Sequence, residues 1–104
     1  MIYEFRTYTM HPGRQDAICR RFSEGTLQIF KRLGMKVTNF WVDADGKEMI
    51  YYIMEFENKE AMATAWATFK QDPEWKALKA ESELDGPIVK EVVSNILEVA
   101  PFFK

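Results

Sequence analysis

The sequence predicts an α+β fold, a split β-α-β arrangement in which a four-stranded antiparallel sheet carries its helices on one face. Three observations predict it. Segments rich in aromatic and β-branched residues alternate with helix-periodic segments in the order strand, helix, strand, strand, helix with an extension, strand. Crossovers of one hand bring both helices to the same side of such a sheet. Each strand segment is also apolar on both of its faces, where a sheet with one wet face would alternate apolar with polar.

Residues 2–10 form the first strand, ended by the turn pair Pro12-Gly13. Residues 14–33 form a long amphipathic helix. Ala17, Ile18, Phe22, Thr26, Ile29, Phe30 and Leu33 recur at three- and four-residue spacing, while Arg14, Arg20, Arg21, Glu24 and Lys31 lie mostly off that stripe. Asp16 near its start and Lys31-Arg32 at its end suit the helix dipole, and Gly34 can close it. Residues 35–42 and 49–56 read as two strands around Asp43-Ala44-Asp45-Gly46, whose Asp-Gly pair favours a hairpin turn. Asn58 caps the next helix, with Ala61, Met62, Ala65, Trp66 and Phe69 on one stripe. Asp72-Pro73-Glu74 opens a short helical extension through Trp75 and Leu78. Gly86-Pro87 ends that region, and residues 88–99 form the last strand. The order is that of a ferredoxin-like fold.

Splitting each strand by parity shows why the other face needs a partner. Tyr3 and Phe5 oppose Ile2, Arg6, Tyr8 and Met10; Phe40 and Val42 oppose Val37, Asn39 and Trp41. Met49, Tyr51 and Ile53 oppose Ile50, Tyr52, Met54 and Phe56; Ile88, Val92 and Ile96 oppose Val89, Val93, Leu97 and Val99. An open apolar face of that size exceeds what monomers usually tolerate. A two-fold homodimer, sheet facing sheet, covers it with one patch used twice. The alternative is a monomer in which residues 72–87 fold over the open face.

Composition narrows the function. The 104 residues make one domain, residues 1–104, with 47% hydrophobic and 29% charged residues. A net charge of −2 offers no footprint for nucleic acid. The single cysteine, Cys19, excludes an internal disulfide and suits a reducing compartment. With no run of about 20 apolar residues and no signal-like start, the expectation is a soluble cytoplasmic protein without a membrane span.

The sequence also resembles the NIPSNAP family. The opening Ile2-Tyr3-Glu4-Phe5-Arg6-Thr7-Tyr8-Thr9, then Pro12-Gly13, Phe40-Trp41 and Asp72-Pro73-Glu74-Trp75, match that family's pattern in order over essentially the whole chain. The resemblance implies the dimeric α+β barrel fold. Animal members of the family are mitochondrial, have two such domains and are linked to vesicle traffic and organelle quality control. This chain looks more like the compact bacterial-type members, whose activity is unassigned.

Candidate chemistry is sparse. Arg6 and Tyr8 share a parity and are assigned to the barrel interior, where the arginine's fork of donors can hold a carboxylate or enolate. The plainer reading, which is preferred, is a structural arginine paired with Glu4 or Glu55. His11 sits at a strand exit, where an imidazole can move a proton, although a lone loop histidine is usually idle. Asn39, Trp41 and Tyr51 are candidates to line a pocket. Some enzymes of this superfamily degrade haem or oxidise aromatics with an asparagine, a tryptophan and a histidine, but here the asparagine is on the second strand and the histidine in a loop. One histidine and one cysteine are too few for a zinc site, and no cofactor is expected. Cys19 reads as a packed thiol.

The leading expectation is a homodimeric barrel that binds a small apolar or aromatic compound in its interior, through Arg6, Tyr8, Asn39 and Trp41. Alternatives are a cofactor-free monooxygenase or isomerase using Arg6 with His11 or Tyr8, and a protein-interaction module whose interior is filled.

Overall fold

Strand β1, Ile2–Met10, and strand β3, Met49–Phe56, fall where the aromatic and β-branched runs place them and pair antiparallel. This computed structural model describes residues 1–103. Strand β2, Lys36–Val42, flanks β3, and β4, Val89–Leu97, flanks β1, giving the order β2-β3-β1-β4 with every pairing antiparallel. This is the expected α+β, ferredoxin-like topology.

The first helical region is less regular than its periodicity implies. It runs as α1, Gln15–Arg21, then a π-helical turn, Phe22–Thr26, then α2, Leu27–Arg32. The Leu27 N–H reaches back to the Phe22 carbonyl, and the Thr26 hydroxyl donates to the Arg21 carbonyl at 3.3 Å. The wider turn keeps Ile18, Phe22 and Thr26, each four apart, on one buried line before Ile29 and Phe30 take over. Gly34, at φ 74°, ends α2 in a Schellman closure, with the Met35 N–H on the Phe30 carbonyl at 2.8 Å.

Helix α3, Lys59–Gln71, starts where the Asn58 side chain accepts the Ala61 N–H at 2.8 Å. Helix α4, Pro73–Ser82, starts where Asp72 accepts the Trp75 N–H at 3.0 Å, with proline at the first position. Among the described residues, no helix is long and apolar enough to cross a membrane.

Cross-strand partners fix the two faces. Ile2, Glu4, Arg6 and Tyr8 lie opposite Phe56, Met54, Tyr52 and Ile50, on the face packed against the helices. Ile50, Tyr52 and Met54 are fully buried there beneath Ile18, Phe22, Ile29, Phe30 and Phe69. Two irregularities in register correct the parity reading. One lies between Val37 and Asn39 and puts Val37 opposite Met54, on the helix side with Phe40. The other lies between Thr9 and Met10 and brings Val89 to Met10, among the residues packed on the core. An inserted residue shifts alternation by one, so strict parity fails at each bulge.

The opposite face has no helical cover. Phe5 and Tyr51 stack there at 6.4 Å between centroids, beside Trp41, Val93 and Leu97, which are 46%, 44% and 44% exposed. The alternative in which residues 72–87 close this face does not hold. Arg21 in α1 donates to Ser82 and Glu83 at 3.2 Å, and Arg32 in α2 reaches Asp72 at 2.7 Å, so α4 lies on the helix side. Gly25 makes the approach possible: a Cβ there would stand 2.5 Å from Leu78 Cδ2.

Candidate functional site

Three charged or polar side chains of β1, two residues apart, point under the helices as Glu4, Arg6 and Tyr8. The Arg6 guanidinium donates from Nε to the Tyr52 hydroxyl at 2.8 Å, from Nη1 to Glu4 at 2.9 Å and from Nη2 to the Tyr8 hydroxyl at 3.2 Å. The Tyr8 and Tyr52 hydroxyls are themselves 2.7 Å apart. Glu4 is only 3% exposed and accepts two further bonds, from Trp66 Nε1 at 2.7 Å and from the Ser94 hydroxyl at 2.6 Å. The buried charges are therefore paired and hydrogen-bonded, as burial demands.

Protonation states follow. Burial opposes the Arg6 charge, but the surrounding Tyr52, Tyr8 and Glu4 oxygens outweigh it and hold its pKa above the ordinary arginine value. Burial, reinforced by Tyr8 and opposed by Arg6, pushes the Tyr52 phenol well up, so it stays neutral. A guanidinium has five N–H groups. Three are used here, which leaves two without a hydrogen bond among the described residues.

A guest has room. A cavity of about 830 Å³ lies between the helices and the β1–β4 side of the sheet, with Arg6 and Tyr8 in its lining. Phe22, Phe30, Trp66, Phe69 and Trp75 supply aromatic wall. Val92 of edge strand β4, on the cavity side opposite Tyr8, is 44% exposed. The volume is in the range of sites for small organic molecules.

The structure divides the predicted residues. Arg6 and Tyr8 come together, but under the helices and not between two sheets. Asn39, Trp41 and Tyr51 lie across the sheet from them. Cross-strand pairing sets Arg6 opposite Tyr52 and Tyr52 opposite Phe40, whereas Trp41 pairs with Tyr51 and Asn39 with Ile53. Phe40, stacked on Tyr52 at 5.2 Å, is thus the β2 residue nearest the cluster. The Tyr51 hydroxyl is spent on Asp43, at 2.5 Å, where it braces the hairpin. His11 follows β1, its N–H on the Ile88 carbonyl at 3.0 Å, and does not line the cavity. Arg6 pairs with Glu4, while Glu55 pairs with Lys36 at 3.0 Å. Burial, then Asp16, raises the Cys19 thiol pKa, which makes it a poor nucleophile at neutral pH.

Sequence reasoning missed Trp66 as a polar partner, and it missed Arg21 and Trp75 as cavity wall. One signal was available: Glu4, Arg6 and Tyr8 at alternate positions of an apolar strand mark a polar group facing inward, and a buried indole N–H needs an acceptor.

Comparison with known proteins agrees with this architecture. A family model described as NIPSNAP matches residues 3–104. The crystal structure of an uncharacterised NIPSNAP domain protein from Burkholderia xenovorans superposes with a TM-score of 0.84 at 19% identity, covering 100% of this chain and 99% of that one. A NIPSNAP family protein of unknown function from Agrobacterium tumefaciens gives 0.82 at 23% identity, covering 99% and 91%. An antibiotic biosynthesis monooxygenase gives 0.65 at 10% identity, covering 97% and 100%. At these identities the likeness establishes the fold alone. No curated protein matches the chain.

Proposed function

This chain belongs to the NIPSNAP family, and from that premise we propose that it binds a small aromatic or apolar compound in the cavity between sheet and helices. The observation that carries the proposal is the cavity itself, about 830 Å³ with aromatic walls and with Arg6 in its lining. Ring faces supply dispersion and stacking, and the two spare Arg6 N–H groups fix the orientation of an oxygen on the guest. Two copies of the chain pair through the open sheet faces, which places one such cavity on the outer side of each sheet.

Binding fits the residues better than proton transfer does. A base beside Arg6 is what an isomerase or cofactor-free oxygenase needs, and Glu4, the carboxylate there, already accepts from Arg6, Trp66 and Ser94. An interaction module with a filled interior fits poorly with a cavity of this volume.

Tryptophan placement supplies the test. Of the three tryptophans, Trp66 and Trp75 line the cavity and Trp41 lies on the open face. In Trp41→Phe protein, tryptophan excitation should therefore give saturable emission from the neutral aromatic probe dansylamide. Filling the cavity with Ala80→Trp should abolish saturation. A wild-type protein that shows no saturable signal with dansylamide, with a panel of neutral bicyclic aromatics or with their carboxylate counterparts refutes the reading. Native mass spectrometry of freshly purified protein reports subunit number and any retained compound together.

A further inference from the structure

The cavity is cationic although the chain is acidic overall. Its lining includes Arg6, Arg21, Lys70, Lys76, Lys79 and Lys90. Only Glu83 and Glu91 oppose them in that lining, in a chain whose net charge is −2. Glu4 answers Arg6 and Glu83 answers Arg21. None of the four lysines is within ion-pair distance of a carboxylate among the described residues.

Arg21 adds a second, independent sign. It is 6% exposed, its Cζ lies 5.1 Å from the Trp75 ring centroid, its Nε is sealed within the protein, and both of its hydrogen bonds leave from Nη1, so Nη2 is the terminal nitrogen left without a partner among the described residues. Its one carboxylate partner, Glu83, holds Nη1 at 3.2 Å. A buried guanidinium with donor capacity left over, on the wall of an aromatic cavity and beside unpaired ammonium groups, has the chemistry of an anion receptor. A concave wall of low polarity also focuses the field of those lysines inward.

We infer that the guest of this cavity is an aromatic carboxylate, its ring between the aromatic walls and its charged end toward Arg21 and the lysines of α4. This rests on the cavity being the binding site, and it adds the charge and class of the ligand. Lys76 and Lys79 are exposed side chains of α4, so they hold the rim without holding the core.

Calorimetric titration with 2-naphthoate and its neutral counterpart 2-naphthamide tests it. The acid should bind at least tenfold more tightly than the amide, and its advantage should shrink as salt is raised. The double variant Lys76→Gln/Lys79→Gln should weaken the acid several-fold and leave the amide unchanged. Arg21→Gln should do the same; if that variant unfolds, the lysine pair still decides. Equal binding of acid and amide overturns the carboxylate inference and leaves the cavity reading standing. Failure of both to bind overturns both. An acid preference untouched by the lysine substitutions overturns the placement of the charged end.

Discussion

Arg6 lies over the Trp66 indole, its Cζ 4.3 Å from the ring centroid, and both side chains donate to the same Glu4 carboxylate. The cation meets the ring's negative face, while the ring's N–H and the cation share one counter-charge. This polar link ties α3 to β1 amid otherwise apolar packing. It also explains how an acid and a base can stand two residues apart on a strand face that is buried. Each is the other's ion-pair partner, while the Tyr52 and Tyr8 hydroxyls support Arg6 and the Trp66 and Ser94 donors support Glu4.

Removing Glu4 should therefore be costly. Glu4→Ala leaves Arg6, Trp66 and Ser94 with unpaired donors, and breaking a buried ion pair from one side costs about 3–5 kcal/mol. Arg6 retains 17% side-chain exposure, which puts the expectation at the lower end of that range. Urea denaturation measures it. Lys36→Ala, which breaks a pair whose lysine is 68% exposed, is the control and should be nearly silent. Equal midpoint shifts in the two variants would mean that the Glu4 cluster adds nothing.

Stability should fall on the acid side. The Tyr51 hydrogen bond holds the Asp43 pKa below its ordinary value, Lys36 does so for Glu55, and Arg32 for Asp72. A carboxylate whose folded pKa is depressed stabilises the fold above its unfolded pKa, because below that the unfolded chain binds more protons. The contribution is thus intact at neutral pH and is lost as pH falls through about 4 and lower. Asp72→Asn keeps an oxygen to cap Trp75 but loses the charge facing Arg32. Its Tm deficit should be clear at pH 7 and should narrow by pH 3. A deficit that stays constant across that range would show the ion pair to be inert.

The contact between Gly25 and Leu78 should show a reversal of sign. A methyl group at Gly25 meets Leu78 Cδ2 at 2.5 Å, so Gly25→Ala forces Leu78 out of place and is neutral or destabilising. In a Leu78→Ala background the obstruction is gone. There the same substitution should stabilise by roughly 0.5–1 kcal/mol, the usual advantage of alanine over glycine in a helix. A double-mutant cycle reads the coupling directly. Additive effects would contradict the close packing of α4 on the π-helical turn.

Most element boundaries were legible because each is enforced locally. Asn58 and Asp72 cap their helices through their own side chains, and Pro73 can only begin a helix, so α3 and α4 start where the residues say. The bulges and the π turn were not legible, since each is one extra residue whose place is decided by packing against another element. Val37 and Val89 changed faces for that reason. Parity separates the two halves of a strand but does not say which half the helices cover. Arg6 and Tyr8 were accordingly grouped with Asn39 and Trp41, when the pairing through Tyr52 puts Phe40 beside them instead.

The uncovered sheet face carries the last prediction. Phe5, Tyr51, Trp41, Val93 and Leu97 form a largely apolar surface, with Thr7 and Asn95 between them, and no described element lies above it. Pairing two such faces about a two-fold axis buries each against its copy, and each residue then serves both subunits. A charge added on each edge strand of that face acts twice in the dimer and must be buried without a partner, which costs several kcal/mol. Wild-type protein should sediment as two chains. Val93→Glu/Trp41→Glu should sediment as one chain with an unchanged far-ultraviolet circular dichroism spectrum, because neither side chain belongs to the core under the helices. A wild-type single chain at micromolar concentration would refute the pairing. It would leave the cavity untouched, since Arg6, Trp66 and Arg21 belong to one chain and lie on the other side of the sheet.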